Sequence, residues 1–228
     1  MQESFGAAWA QASQLSGAGL HSLKDLNRRF LELAAIGCGD WSCGGGIGGI
    51  ASRLAPLNAT QREAAANCPY ALFDLRFRDA THWQGRLQQA QRWRISDERA
   101  VDAPTVDFVR LALFYAWHIA STTGLAAQLQ LGMSADTAAT FRATTLDSLP
   151  TLAVTESQHL TARWSDCAVY WRALVGAACG GNPTVLRRVQ LHGLQLAAAS
   201  RLSSCAVASS QSSVSGVPRA SICPRAPG

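Results

Sequence analysis

Lysine is almost absent from this chain: of its 20 basic residues only Lys24 is a lysine, and the rest are arginine. Beside so much alanine, that bias reads as the signature of a GC-rich genome, so arginine abundance alone points to no ligand. An unbroken apolar run of membrane length is also missing. Residues 111–135 carry no formal charge, but His118, Ser121, Thr122, Thr123, Gly124, Gln128 and Gln130 interrupt them, whereas a spanning helix needs about 20 predominantly apolar residues in a row. Two buried helices around a turn near Gly124 are predicted instead. No basic segment precedes an apolar block at the start, where Glu3 stands, so no cleaved signal peptide is expected.

Site motifs are absent too. Seven cysteines, at 38, 43, 68, 167, 179, 205 and 223, form no regular framework, and an odd count argues for a reducing cytoplasm over a paired secreted scaffold. Cys38 and Cys43 flank Asp40, but a zinc site needs four ligands and neither a second cysteine pair nor a histidine pair follows at finger spacing. The nearby GGGIGG run lacks the Gly-Lys-Ser/Thr ending of a phosphate loop. Histidines 21, 82, 118, 159 and 192 lie more than four residues apart, and His118, inside an apolar stretch, reads as a core side chain. No Gly-x-Ser-x-Gly elbow orders a nucleophile. The chain is therefore expected to have no catalytic residue, no metal site, no cofactor and no enzymatic activity.

What is present is a globular composition. The 228 residues are 48% hydrophobic with a net charge of +5, enough for a sizeable core and only mildly basic. Leu20, Leu23, Leu26, Phe30 and Leu33 recur at helical spacing over residues 19–35, opposite Lys24, Asp25, Arg28 and Arg29. The glycine-rich run 37–49 predicts a loop. Helices are expected over 58–67, capped by Asn58, and over 80–92, with Phe73, Leu75 and Phe77 alternating with polar residues as a short strand between them. Val106, Val109, Leu113, Trp117 and Ala120 make a second helical stripe. Ser134 and Thr145 are placed to cap two further short helices joined at 143–144, Leu160, Ala162 and Trp164 repeat the strand-like alternation, and Asn182 with Pro183 opens a last helix to about Arg201. From 203 onward serine, alanine and proline predict a disordered tail.

The pattern repeats. Residues 54–77 align without a gap on 141–164, a register of 87 positions that puts Ala66 opposite Ala153, Arg76 opposite Arg163, Asp79 opposite Asp166, Leu87 opposite Leu174, Phe77 opposite Trp164 and Trp83 opposite Tyr170. The expected fold is mainly α: a pseudo-duplicated helical bundle with short strand-like segments meeting across a pseudo-two-fold axis. Its units are 1–95, which contains the glycine-rich loop 37–49, and 104–202, with the tail 203–228 behind them. The leading helices are expected to pack through Leu26 and Phe30 against Leu113 and Trp117.

The windows around this repeat resemble the FlhD-type flagellar transcriptional regulator family, the small subunit of a bacterial master activator. The second copy carries the likeness through Leu131, Gly132, Met133, Thr145, Leu146, Leu152, Ala153, Thr155 and Arg163 with an aromatic after it, and the first through Leu54, Ala55, Leu57, Gln61, Ala66, Arg76, Phe77 and Asp79. The resemblance implies a helical, dimerising regulator that activates transcription with a partner subunit, residues 134–156 being helix-turn-helix-like. That family has one unit per chain, so two copies here imply an intrachain pseudo-dimer. The second helix of the motif, 145–156, carries Asp147 and Glu156 and no basic residue, which suits phosphates poorly, and Pro150 inside it is expected to bend it. Six arginines between 76 and 99, interleaved with Phe77, Trp83 and Trp93, have a composition suited to phosphate and base contact, although aromatics at helical spacing ordinarily face a core. The candidate DNA-contacting residues are Arg76, Arg78, Arg142, Arg163, Arg187 and Arg188. The expected function is a cytoplasmic regulator acting with a protein partner and reaching DNA, without membrane or small-molecule substrate; the alternative is a helical adaptor or assembly protein that binds no nucleic acid.

Overall fold

Hydrophobic spacing at three and four residues dominates the chain, and the computed structural model, which describes residues 17–36, 48–90 and 103–212, is accordingly mainly helical. The order is α1 (Gly17–Ile36), α2 (Gly48–Leu54), α3 (Ala59–Ala66), β1 (Phe73–Asp74), α4 (Ala80–Ala90), α5 (Ala103–Thr122), α6 (Gly124–Leu131), α7 (Ala135–Arg142), a 3-10 turn (Leu146–Ser148), α8 (Leu149–Glu156), a second 3-10 turn (Ser157–His159), β2 (Thr161–Ala162), α9 (Ala168–Gly180) and α10 (Pro183–Ser212).

Helix α5 is the hub. Val106, Phe108, Val109, Ala112, Leu113, Tyr115, Ala116, Ile119 and Ala120 are buried, which covers more than one face, and α1, α6, α7 and α8 all pack on it. Helix α1 buries Leu23, Leu26, Phe30, Leu31, Leu33 and Ala34 and keeps a salt bridge between Arg28 and Glu32, 2.8 Å, on its outer side. The leading helices do meet, but through aromatic rings: Phe30 lies 6.0 Å from Phe108 and 6.0 Å from Phe73 between centroids. Trp117 is only partly buried and donates its indole N–H to the Thr144 carbonyl at 3.0 Å, so its partner is the end of α7. Buried residues of both copies belong to one contiguous apolar cluster.

The strand-like segments pair as their matched positions require. β1 and β2 run antiparallel with Phe73 opposite Ala162 and Asp74 opposite Thr161, and exchanging the two copies maps this pairing onto itself. Each strand is two residues long, because a left-handed residue ends it: Arg76 has φ 55° and Trp164 has φ 54°. The turns that follow are the same turn twice. Asp79 N–H bonds the Arg76 carbonyl at 2.9 Å and Cys167 N–H bonds the Trp164 carbonyl at 2.8 Å; one turn on, Trp83 N–H reaches the Asp79 carbonyl and Trp171 N–H the Cys167 carbonyl. By residue number Arg76 and Trp164 are 88 positions apart, one more than the sequence register. The cap positions Asn58 and Thr145 keep the 87-residue spacing, so the second copy holds one extra residue between its capped turn and its strand. The counterpart of Trp83 is therefore Trp171, not Tyr170, and both indoles are fully buried.

Several local expectations are corrected. Asn58 caps α3 through a capping box with Gln61, Ser134 caps α7, and Asn182 Oδ1 accepts from Thr184 and Val185. Thr145, however, makes no side-chain cap bond and opens a 3-10 turn. Pro150 falls in the first turn of α8, where its missing N–H has no helical acceptor to lose, so it starts the helix without bending it. Glycine at 48 and 49 lies in α2, and α10 continues to Ser212: ten residues assigned to the tail extend a formed helix, which two alanines, a glutamine and several serines can continue once nucleation has been passed. His118 is exposed. The rest of the predicted loop, with Cys38, Asp40 and Cys43, the segment 91–102 and the tail beyond 212 lie outside the described residues.

Candidate functional site

Gln130, Gly132, Trp164 and Trp171 converge on Arg163. Helix α6 ends in a left-handed cap at Gly132, φ 75°, and the space above that glycine is filled by the Arg163 guanidinium. Arg163 is 6% exposed, donates Nη1–H to the Gln130 carbonyl at 2.8 Å and stacks over the Trp164 ring at 4.6 Å. Its own carbonyl accepts the Trp171 indole N–H at 3.0 Å. Burial pulls its pKa down to about 10, against the pull of the Asp74 charge, and the guanidinium remains protonated at neutral pH. A side chain so placed cannot reach a phosphate backbone, and Arg163 is withdrawn from the DNA-contacting set.

The other candidates face outward but are not alike. Arg76 is bound to Asp79 at 2.7 Å; the Asp79 carboxylate also accepts the His82 N–H at 2.9 Å, a helix cap that holds its pKa below the usual range, aided by the Arg76 charge. Arg78 and Arg142 are exposed at the strand end and the last turn of α7. Arg187 and Arg188 are exposed neighbours on α10, and the Cα geometry of a helix puts Arg187, Leu191 and Leu194, at i, i+4 and i+7, on one face. Leu191 and Leu194 are themselves exposed, as are Val185 and, on α9, Val169 and Arg172. Helix α10 packs on α9 and α6. From Cys167 to the end of the chain there is no aspartate or glutamate, while arginines stand at 172, 187, 188, 201, 219 and 225. The net charge of +5 conceals this asymmetry; a running charge count reveals it.

A second polar site lies where the copies meet. Glu156, at the end of α8, is fully buried. His82 Nε2 contacts its Oε2 at 2.7 Å and Arg86 Nε its Oε1 at 2.9 Å, both from α4 of the first copy. His159, in the 3-10 turn after α8, lies edge-on to His82 with centroids 5.3 Å apart. Burial lowers the His159 pKa, partly offset by the Glu156 charge, so its imidazole is neutral at pH 7. His82 and Arg86 line an open concavity with Thr81, Gly85, Gln88 and Gln89. Sequence spacing hid this group, since His82 and Glu156 are 74 residues apart. It also changes the reading of the motif helix: Glu156 is an internal anion with cationic and imidazole partners, not a surface charge that repels phosphate.

Comparison with protein-family models, with curated proteins and with solved structures finds no match to this chain. Among the described residues no helix is long and apolar enough to cross a membrane.

Proposed function

We propose that this chain is a cytoplasmic helical regulator of transcription that binds a protein partner and, in complex with it, DNA. The single observation carrying the reading is the set of exposed side chains on α9 and α10, Arg172, Arg187 and Arg188 with Val169, Val185, Leu191 and Leu194, in a stretch of sequence without acidic residues. Apolar side chains together with arginine suit a protein surface, since arginine is enriched at interfaces, and the exposed positive charge favours phosphates or an acidic partner. The FlhD-type windows point to the same class of function. Helix α8 contributes little to a groove: Leu149, Leu152, Ala153 and Glu156 are buried, and no basic residue stands on it. In this reading the DNA contacts fall to Arg187, Arg188, Arg142 and Arg78, and the partner covers Leu191 and Leu194.

An electrophoretic mobility shift with random duplex DNA at several salt concentrations, with and without the co-purified partner, tests the DNA half. Binding should weaken with salt, and Arg187→Glu with Arg188→Glu should weaken it further. Absence of any salt-sensitive shift in both settings would leave the adaptor reading, which the removal of Arg163 and the pairing of Arg76 already favour for the strand region. Recovery of a polymerase or transcription subunit in a pull-down from the native host would count against the adaptor.

A further inference from the structure

We infer that His82, Glu156 and His159 form a binding site for a divalent metal ion of the zinc class, built across the boundary between the two copies. One ligand atom from each of the three residues lies within 4.8 Å of the other two. Two imidazoles and one carboxylate are a donor set that suits zinc, cobalt and nickel, at bond lengths of about 2.0 to 2.2 Å. His82 Nε2 and Glu156 Oε2, now hydrogen-bonded at 2.7 Å, would part slightly to share an ion at bonds of about 2.0 to 2.2 Å, while His159, in a short turn, closes in from within 4.8 Å.

Further observations favour an ion there. Glu156 is fully buried, so its oxygens are kept from water, and Arg86 already supplies the cation that its burial requires. Arg86 binds Oε1 and leaves Oε2 to His82, so an ion taking Oε2 would find the carboxylate already oriented through its other oxygen, as outer partners orient ligands in metal sites. With three protein ligands, a fourth position remains for water or another donor, as in sites that keep an open place. The concavity formed by Thr81, His82, Gly85 and Arg86 gives a route in from solvent. His82 comes from α4, Glu156 from the end of α8 and His159 from the 3-10 turn after it, so a bound ion would tie the two copies together. The inference is independent of any role in transcription.

The test is titration of the full chain, stripped with a chelator, with Co2+ and then Zn2+. One equivalent of Co2+ should give visible ligand-field bands without the thiolate charge-transfer band that a cysteine site would show, and Zn2+ should abolish them. His159→Gln should weaken binding at least about 100-fold, the upper end of what loss of a mere outer partner costs. His159 is half-exposed, and circular dichroism checks that the variant is folded. X-ray absorption of the zinc-loaded wild-type protein gives the answer without a variant: two imidazoles with oxygen in the first shell are expected. Failure to bind one equivalent, a thiolate band, sulfur in the first shell, or undiminished binding by folded His159→Gln would each overturn the assignment.

Discussion

A Cβ built on Gly132 would stand 2.8 Å from Nη2 of Arg163. The glycine is thus required twice, for its left-handed φ of 75° and for the room it leaves a buried cation held by the Gln130 carbonyl and the Trp164 ring. Gly132→Ala is expected to destabilise the chain by about 1 to 3 kcal/mol, combining left-handed strain with overpacking. Urea denaturation reads this, and a loss below about 0.5 kcal/mol would show that the guanidinium simply moves aside.

Trp83 and Trp171 are structural counterparts with different hydrogen bonding. The Trp171 indole N–H reaches the Arg163 carbonyl at 3.0 Å, whereas the buried Trp83 N–H has no partner among the described residues. Trp171→Phe gives up a bond and strands an acceptor; Trp83→Phe gives up neither. The difference in unfolding free energy between the two variants should be about 1 kcal/mol, with Trp171→Phe the less stable. Equal costs would mean that the Trp83 N–H is satisfied in solution.

Asp79 caps α4 and pairs with Arg76, so its folded pKa is depressed. The unfolded chain takes up the proton first on acidification. The stabilisation is therefore fully present above the ordinary aspartate pKa of about 3.9 and is lost as pH falls through the lower folded value. Asp79→Ala should cost about 1 kcal/mol at pH 7, as cap removals do, and should flatten the acid limb of stability against pH. A difference between variant and parent that stayed constant down to pH 2 would contradict the assignment.

The cysteines should differ in reactivity. Burial pushes the Cys68 thiol up to about 11, and its S–H donates to the Ala65 carbonyl, while Cys179 on α9 is exposed. Since the thiolate is the reacting form, alkylation followed by mass spectrometry should modify Cys179 before Cys68 and leave Cys68 untouched until the chain unfolds. Early modification of Cys68 would place it near solvent.

Elements were legible wherever local signals set them. The stripe of α1, the caps at Asn58, Ser134 and Asn182, and the alternation from Phe73 to Phe77 depend on neighbours within a few residues, and all reappear in the fold. The strand pair was legible through the repeat, since matched segments that cannot be satisfied alone can pair with each other. Long-range facts were not. Arg163 looked like a surface cation because no local pattern tells an arginine that stacks on Trp164 beneath Gly132 from one in water. The grouping of Glu156 with His82 and His159 arises from the contact between α4 and α8, which neither helix encodes alone. The one-residue slip that makes Trp171 the partner of Trp83 was hidden because an ungapped alignment keeps one register through a copy that holds an extra residue.

Helix α10 has 30 residues, and only residues 91–102 separate α4 from α5. The first copy therefore has no place for an equivalent of α10. A dimer of two identical chains presents every surface twice and accepts partners in pairs, whereas joining the halves covalently and adding one helix to one of them leaves a single Arg187 to Leu194 face per molecule. On the proposal that a partner covers Leu191 and Leu194, it meets a monovalent target, and the complex should contain one partner per chain.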